Sequence, residues 1–263
     1  MGQKPSKSAP DSGSKRKSLS KPKALDAWRS HGPTKVAVER AQRTGVLNLS
    51  TRKLSRLDPG LLPTLASRLT SLDLAANRLE ALPDDFGQLV ALKYLNIASN
   101  RLHGLPVSIG QLQHLETLNL GHNQLTLLPV GLTTLARLKQ LVVAHNHLRQ
   151  LPLEIGNLKR LRLLDLSHNQ LTEIPASLGF LVDLEELNLD HNALKQVPAD
   201  LAAHTKRLRV LRLCHNAVGQ IPNALLTDTP LAFLELEANP IDLKDFHAMP
   251  GYPEVSDASS YMG

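Results

Sequence analysis

The chain has 263 residues, of which 42% are apolar but only 3% are aromatic, so leucine rather than aromatic residues must fill the core. Its single cysteine, Cys214, excludes an internal disulfide framework and favours a reducing compartment. The net charge of +6 comes from the N-terminal end, because residues 1–43 hold 11 Lys/Arg and 3 Asp/Glu, whereas the rest of the chain holds 19 Lys/Arg and 21 Asp/Glu. A body this close to neutral argues against nucleic-acid binding.

The first predicted element is a basic, serine-rich segment, residues 1–33, which we expect to be disordered. It opens with Met1-Gly2-Gln3-Lys4-Pro5-Ser6, which fits the M-G-x-x-x-[ST] pattern for N-myristoylation at Gly2. One myristoyl chain holds a bilayer only marginally, so a stable anchor needs a second signal such as a basic cluster. Seven bases of the segment are predicted to contact an anionic leaflet: Lys4, Lys7, Lys15, Arg16, Lys17, Lys21 and Lys23.

The same segment is open to other interpretations. Its bases are also typical of a nuclear localisation signal, and its acid-poor, serine-rich composition is typical of an organelle transit peptide or of a plain solvated tail. No apolar run in these residues corresponds to the core of a secretory signal, and no run in the chain approaches the ~20 apolar residues of a membrane span. Phosphorylation of serines among the bases would weaken attraction to a membrane.

A short helix is predicted next, over residues 34–44. Thr34 is the expected N-cap, Val38 and Ala41 lie on one face, and Gly45 is the expected stop. We expect this helix to cover the leucines at the open end of the domain that follows.

The body, residues 45–249, repeats itself. Asparagine recurs every 23 residues, with one interval of 24 across residues 202–204, at Asn77, Asn100, Asn123, Asn146, Asn169, Asn192, Asn216 and Asn239. The frame around each one is L-x-x-L-x-L-x-x-N-x-L-x-x-L-P, which is the leucine-rich repeat. An atypical first copy has Arg52 in the asparagine position, and residues 250–263 form a C-terminal tail. The predicted fold is therefore an α/β solenoid, a horseshoe of about nine coils with a parallel concave β-sheet.

The spacing within a repeat predicts its local structure. The alternating L-x-L core, for example Leu118 and Leu120, is a short strand with leucines inward and the other side chains outward. The L-P step and the x-x-I-G-x-L segment return the chain over the convex side, where we expect glycine to permit a tight turn. The asparagine amide is expected to donate to and accept from backbone groups that no β-ladder satisfies.

The outward strand positions form the predicted binding face, because a solenoid leaves that surface open. Apolar residues there break the pattern of a solvated polar surface, and acidic side chains around Arg212 favour a partner with a basic patch. The predicted contact residues are Tyr94, Gln140, Val142, Leu163, Asp165, Glu186, Asn188, Val210, Arg212, Phe233 and Glu235.

Two other features are candidate sites. Five histidines precede repeat asparagines (His122, His145, His168, His191 and His215) and invite a zinc or pH-sensor hypothesis, but a histidine here is also an ordinary variant of the repeat. Cys214 occupies a small-residue position and is interpreted as packing. The sequence has no phosphate loop, no G-x-S-x-G, no H-E-x-x-H and no cysteine pair, so we predict a protein that is not an enzyme and uses no cofactor or metal.

The segment Val38-Glu39-Arg40-Ala41-Gln42-Arg43-Thr44-Gly45-Val46, together with the Met1-Gly2 opening, the repeat count and Gly251-Tyr252, resembles the leucine-rich repeat-containing protein 57 family. That resemblance implies a small intracellular, myristoylation-competent protein without a defined activity. The basic N-terminal stretch is longer than in that family, and the C-terminus lacks a basic end. The wider L-x-x-L-P-x-x-I-G-x-L class is similar to plant Ras-group and Shoc-type repeat scaffolds, which implies GTPase or phosphatase partners.

These observations predict a monomeric adaptor that binds a protein on its concave face and is tethered to the cytoplasmic side of a membrane by Gly2 and the basic segment. One alternative is a regulatory subunit in a phosphatase or small GTPase pathway. The second is a nuclear repeat protein that uses the basic segment as its address.

Overall fold

Nine short strands form one parallel sheet in chain order, as seen in a computed structural model that describes residue 1 and residues 32–250. This confirms the predicted solenoid with nine coils. The strands are β1 Val46–Asn48, β2 Ser71–Asp73, β3 Tyr94–Asn96, β4 Thr117–Asn119, β5 Gln140–Val142, β6 Leu163–Asp165, β7 Glu186–Asn188, β8 Val210–Arg212 and β9 Phe233–Glu235.

The strands are aligned residue for residue. Thr117 of β4 pairs with Gln140 of β5, and the central leucines Leu118 and Leu141 are opposite each other and fully buried. The same register holds across the whole sheet, so equivalent positions of successive coils form straight columns about 4.8 Å apart. The repeat in sequence thereby becomes a set of parallel rows on the surface.

Short helices carry the chain across the side opposite the sheet. Six are 3-10 helices: Pro59–Leu61, Phe86–Gln88, Val107–Gln111, Val130–Thr134, Leu153–Asn157 and Ala176–Phe180. Three are single-turn α-helices: α2 Leu62–Leu65, α3 Leu201–His204 and α4 Asn223–Thr227. The 24-residue interval falls at α3, where an α-helical turn replaces the 3-10 turn of the preceding coils.

The asparagine column bonds each coil to the one before it. The Nδ2 group of Asn123 donates to the carbonyls of Leu120 at 2.9 Å and of Ile97 at 3.1 Å, and its Oδ1 accepts from the backbone N–H of Leu102 at 3.0 Å. Each amide thus satisfies buried backbone groups in two coils, as predicted. Even the atypical first coil is held this way, since Asn77 Oδ1 accepts from the N–H of Arg52.

The glycines of the x-x-I-G-x-L segment serve close packing, and their predicted role in a tight turn was wrong. Within the described residues the only glycine with a positive φ is Gly45, at 71°. A Cβ added at Gly110 would lie 2.5 Å from the carbonyl oxygen of Gly131 in the next coil. The same conflict with the next coil occurs at Gly87, Gly156 and Gly179. Glycine is therefore needed because neighbouring coils approach closely at this column.

Helices close both ends of the solenoid. Helix α1 spans Gly32–Thr44, so it begins two residues earlier than predicted and Thr34 lies inside it instead of capping it. Ala41 of α1 is fully buried, and Gly45 ends the helix in the left-handed conformation with its N–H donating to the carbonyl of Ala41 at 2.8 Å. The other end carries a helix that the sequence interpretation missed, α5 Leu243–His247.

Helix α5 has a recognisable local cause. Its N-cap is Asp242, whose side chain accepts from the backbone N–H of Lys244 at 2.8 Å. Phe246 on the same helix is buried and belongs to the continuous leucine core. An aromatic side chain thus covers the last coil.

None of the helices in the described part of the chain combines the length and apolarity needed to cross a bilayer. The predicted lipidation site Gly2, the seven membrane-contacting bases and most of the C-terminal tail lie outside the described residues.

The glycine column can be tested with a matched pair of variants. Gly156→Ala should lower the free energy of unfolding by about 2 kcal/mol, because its Cβ meets the backbone carbonyl of Ser177 in the next coil. Gly219→Ala should change it by less than about 1 kcal/mol, because nothing lies within 4 Å of its added Cβ. Urea unfolding followed by circular dichroism measures both. Equal losses in the two variants would contradict the packing explanation.

Candidate protein-binding face

All the residues predicted to contact a partner lie on two adjacent rows of the sheet. The first row holds the opening residue of each strand, and the second row holds the closing residue. Tyr94 on the first row is 39% exposed, whereas Leu163, Val210 and Phe233 on that row and Val142 on the second row are half-buried. The apolar residues are thus open to the outer side of the sheet, yet each is partly covered by its neighbours.

The end of this face near β9 is held in place by its own contacts. The guanidinium of Arg212 lies 5.2 Å from the centre of the Phe233 ring, and its Nε is 2.9 Å from Glu235 Oε2. Arg212 thus pairs with one of the acidic side chains that the sequence places around it. An ordered aromatic and ion-pair cluster loses little side-chain freedom when a partner docks.

Polar residues of the second row have a structural task as well. Asp165 Oδ1 accepts from the backbone N–H of Ser167 at 3.0 Å, and Asn188 Oδ1 accepts from the N–H of Asp190 at 3.0 Å. The same bond, from a side chain to the N–H two residues further on, recurs along the row at Asp73, Asn96 and Asn119. These side chains terminate the strands, so their presence on the face does not by itself indicate a binding role.

Asp190 shows how the fold compensates where this pattern fails. Arg212 occupies the second-row position of β8 and offers no acceptor, and the N–H of Cys214 donates instead to Asp190 Oδ1 of the preceding coil at 2.7 Å. Burial raises the pKa of Asp190, while the bond from Cys214 opposes that rise. The predicted contact residues did not include Asp190. The sequence signal for its role as an acceptor is Arg212, which occupies a strand-end position that otherwise favours Asn or Asp.

Within the described residues one cluster has three donors that could hold a metal: Asp190, Cys214 and Glu235, whose ligand atoms lie within 4.8 Å of one another. Each member already has another role, since Asp190 accepts from a backbone N–H and Glu235 pairs with Arg212. Burial, reinforced by the charge of Asp190, raises the pKa of the Cys214 thiol to about 11. The thiol is therefore protonated at neutral pH and is neither a ready nucleophile nor a ready metal ligand. This agrees with the interpretation of Cys214 as a packing residue.

The five histidines form a continuous stack, which we call the histidine ladder (His122, His145, His168, His191 and His215). Adjacent ring centroids are 4.0–4.2 Å apart and adjacent ring planes differ by 10–13°. Each of these residues has a φ of 52–55°, as does every residue of this column within a few degrees. Histidine is among the residues that tolerate this left-handed conformation, which is a structural reason for its use here.

The ladder lies beyond the carboxyl ends of the strands, and the pKa of two of its members, His145 and His168, is lowered. Burial lowers the pKa of His145 and of His168, and the charges of neighbouring ladder histidines lower it further. Asp165 opposes this effect at both residues. Because the folded state binds protons less readily than the unfolded chain, the free energy of unfolding should fall as the pH drops through the ordinary value of 6.5 toward the folded-state pKa.

Coupling within the ladder can be measured by NMR titration of the histidine ring protons. His145→Gln should raise the pKa of His168, because it removes the ladder neighbour whose charge most strongly lowers that pKa. The control is His103→Gln, an exposed histidine outside the ladder, which should leave His168 unchanged. A pKa of His168 that does not respond to His145→Gln would mean that the stacked rings titrate independently.

The comparisons with known proteins agree with this architecture. The family model for the leucine rich repeat matches residues 42–102, 67–125, 93–148 and 136–194. No curated protein matches the chain significantly over its sequence. Among solved structures, the chain is similar to a leucine-rich repeat protein of Leptospira interrogans, with 30% identity and a TM-score of 0.58, over 74% of this chain and 61% of that one.

Two structures of complexes are similar as well. The plant peptide hormone receptor RGFR1 in complex with RGF2 gives 30% identity and a TM-score of 0.66, over 74% of this chain and 32% of the receptor. The Drosophila Toll–Spatzle complex gives 27% identity and a TM-score of 0.67, over 74% of this chain and 27% of that chain. The chain therefore spans less than two thirds of the length of each of these structures. With more than half of its residues matched by the family model, the chain belongs to the leucine-rich repeat family, whose members are typically non-enzymatic binding scaffolds.

Proposed function

We propose that the chain is an adaptor that binds another protein on the concave face of its sheet. The observation that supports this most directly is the set of apolar side chains on outward strand positions, where burial in the chain's own core is ruled out by the register. A slip of one residue would bring them inward but would expose the central leucines. Tyr94, Leu163, Val210 and Phe233 are accordingly anchor candidates for a partner.

Charge defines the kind of partner. The concave face, together with the column two residues beyond the end of each strand (for example Asp190 and Glu237), carries one guanidinium, that of Arg212. This guanidinium is already paired with Glu235. The face and this column carry six carboxylates: Asp73, Asp165, Glu186, Asp190, Glu235 and Glu237. A cationic surface with an apolar centre would complement this arrangement and would be steered toward it.

Two of the similar structures support a protein ligand in general terms, because RGFR1 is in complex with RGF2 and Toll with Spatzle. The regulatory-subunit hypothesis for a phosphatase or small GTPase uses the same face and differs only in what the bound protein does. The nuclear hypothesis differs in location and concerns the basic segment alone.

We extend the proposal to a tether at the cytoplasmic leaflet of a membrane. It is supported by the myristoylation pattern at Gly2, by the seven bases that follow and by the resemblance to the leucine-rich repeat-containing protein 57 family. A single acyl chain needs such a second signal, and each base near an anionic leaflet contributes about 1 kcal/mol.

The binding face is testable with charge substitutions. Leu163→Asp combined with Phe233→Asp should abolish affinity capture of specific partners, measured by quantitative mass spectrometry against an empty-bait control, because each buries a charge at an apolar contact. The control is Val107→Asp combined with Leu153→Asp on the opposite side, where the side chains are 80% and 74% exposed. Capture that survives the first pair, or that is lost equally with the second pair, would contradict this assignment of the face.

The tether is testable at its first residue. Gly2→Ala should prevent incorporation of an alkyne-labelled myristate and shift the protein from the membrane fraction to the supernatant, since the acyl chain attaches to the amine of that glycine. Gly13→Ala in the same segment should change neither readout. If Gly2→Ala sediments with membranes as the unmodified sequence does, lipidation is not the tether.

A further inference from the structure

Cations concentrate on one flank of the solenoid, at the positions that lead into the strands. From β2 onward, this flank comprises the residue immediately before each strand and the third and fourth residues before it. We call the surface formed by these positions the basic flank. It carries ten cations: Arg68, Lys93, Arg137, Lys139, Lys159, Arg160, Arg162, Lys206, Arg207 and Arg209.

The fold aligns these positions into a continuous surface. The N–H of Lys139 donates to the carbonyl of Glu116, and the N–H of Arg162 donates to the carbonyl of Lys139, both at 2.8 Å. The same bond links this position from Thr70 to Ala232 along the domain. Coils follow one another about every 4.8 Å, so the cations, which lie in five of the seven coils from β2 to β8, extend over about 30 Å. All but Lys139 are exposed.

Acidic residues compensate only part of this charge. The flank contains three, and each has one cationic partner: Glu116 with Lys139 at 2.6 Å, Asp183 with Arg207 at 3.0 Å and Glu185 with Arg162 at 3.9 Å. Within residues 32–250, the other seven cations make no ion pair within 4.0 Å. Adjacent cationic coils, such as those of β5 and β6, are about 4.8 Å apart, which is inside the Debye length of about 8 Å at physiological salt, so the fields of their cations add.

Exposed apolar side chains lie among the cations. Phe180 is 48% exposed, and the Nζ of Lys159 is 5.1 Å from its ring centre. Val182 and Val90, on flank positions of two coils, are 43% and 48% exposed. Cations interleaved with exposed aliphatic and aromatic groups are the combination that peripheral proteins present to the headgroup and acyl boundary of a bilayer.

We infer that the basic flank docks on an anionic lipid leaflet. This inference adds a second membrane contact to the proposed tether. It rests on the proposed tether only for the identity of the membrane, because the flank has its own charge and apolar groups. Docking at the amino ends of the strands leaves the concave face open to the side. It also places the histidine ladder, beyond the carboxyl ends, away from the leaflet. The total charge of the body is near neutral although the flank is basic, because the negative charge of the concave face offsets the positive charge of the flank.

The test uses the full chain produced without its acyl group and vesicles of phosphatidylcholine with or without phosphatidylserine. Arg137→Gln, Arg160→Gln and Arg209→Gln together should lower the partition coefficient for phosphatidylserine vesicles by roughly 100-fold, from about 1 kcal/mol for each base. The matched control, Arg78→Gln, Arg101→Gln and Lys195→Gln, removes the same charge from exposed sites in the turns after the asparagine column. It should cause at most a few-fold loss.

A third variant separates this inference from the proposed tether. Lys15→Gln, Arg16→Gln and Lys17→Gln alter only the basic segment. Loss of vesicle binding in this variant but not in the flank variant would overturn the flank and retain the tether, and the reverse result would retain the flank alone. Equal losses in the flank and control variants would also overturn the inference. So would a flank variant that loses binding to duplex RNA while keeping its vesicle binding. Unchanged thermal unfolding confirms that each variant is folded.

Discussion

The structure depends on a single constraint: a coil of this solenoid can satisfy its buried groups only against its neighbours. The asparagine column enforces it, because one amide donates to carbonyls in its own coil and in the coil before and also accepts an N–H from that earlier coil. The glycine column enforces it from the opposite side, where neighbouring backbones come too close for a Cβ. Together they fix the register of every coil, and the register turns each position of the repeat into a straight row.

Rows explain why side chains far apart in sequence act together. Five histidines spaced 23 or 24 residues apart in the sequence stack here with ring centroids 4.0–4.2 Å apart, and the charges of ladder neighbours lower the pKa of His145 and His168. Cations at the positions before β2, β3, β5, β6 and β8 become parts of one flank about 30 Å long. Apolar residues at outward positions, such as Leu163 and Phe233, become part of one face. The chemistry of each surface therefore follows from the repeat position on which a residue type recurs.

Period and alternation were sufficient to predict the coils, the strands and the outward positions, because these depend on spacing alone. What could not be predicted depends on contacts between coils. The need for Gly110 arises from the backbone of the next coil and not from its own φ, and the pairing of Arg212 with Glu235 joins two strands. Helix α5 was missed because its short Asp242 signal follows the last asparagine, where the period offers no guide. The basic flank was missed because summing charge over the body cancels surfaces of opposite sign.

That cancellation has a physical consequence for how the proposed functions fit together. The acidic concave face is repelled by an anionic leaflet while the basic flank is attracted to it, so the electric field of the leaflet favours one orientation of the solenoid before any close contact forms. In that orientation the strands rise from the membrane, and the face with Tyr94, Leu163 and Phe233 stays open to a cationic partner diffusing near the surface. A chain with the same net charge spread evenly would have no such preference. The separation of charge between rows, rather than the total charge, is what would allow the proposed membrane docking and the proposed protein binding to occur together.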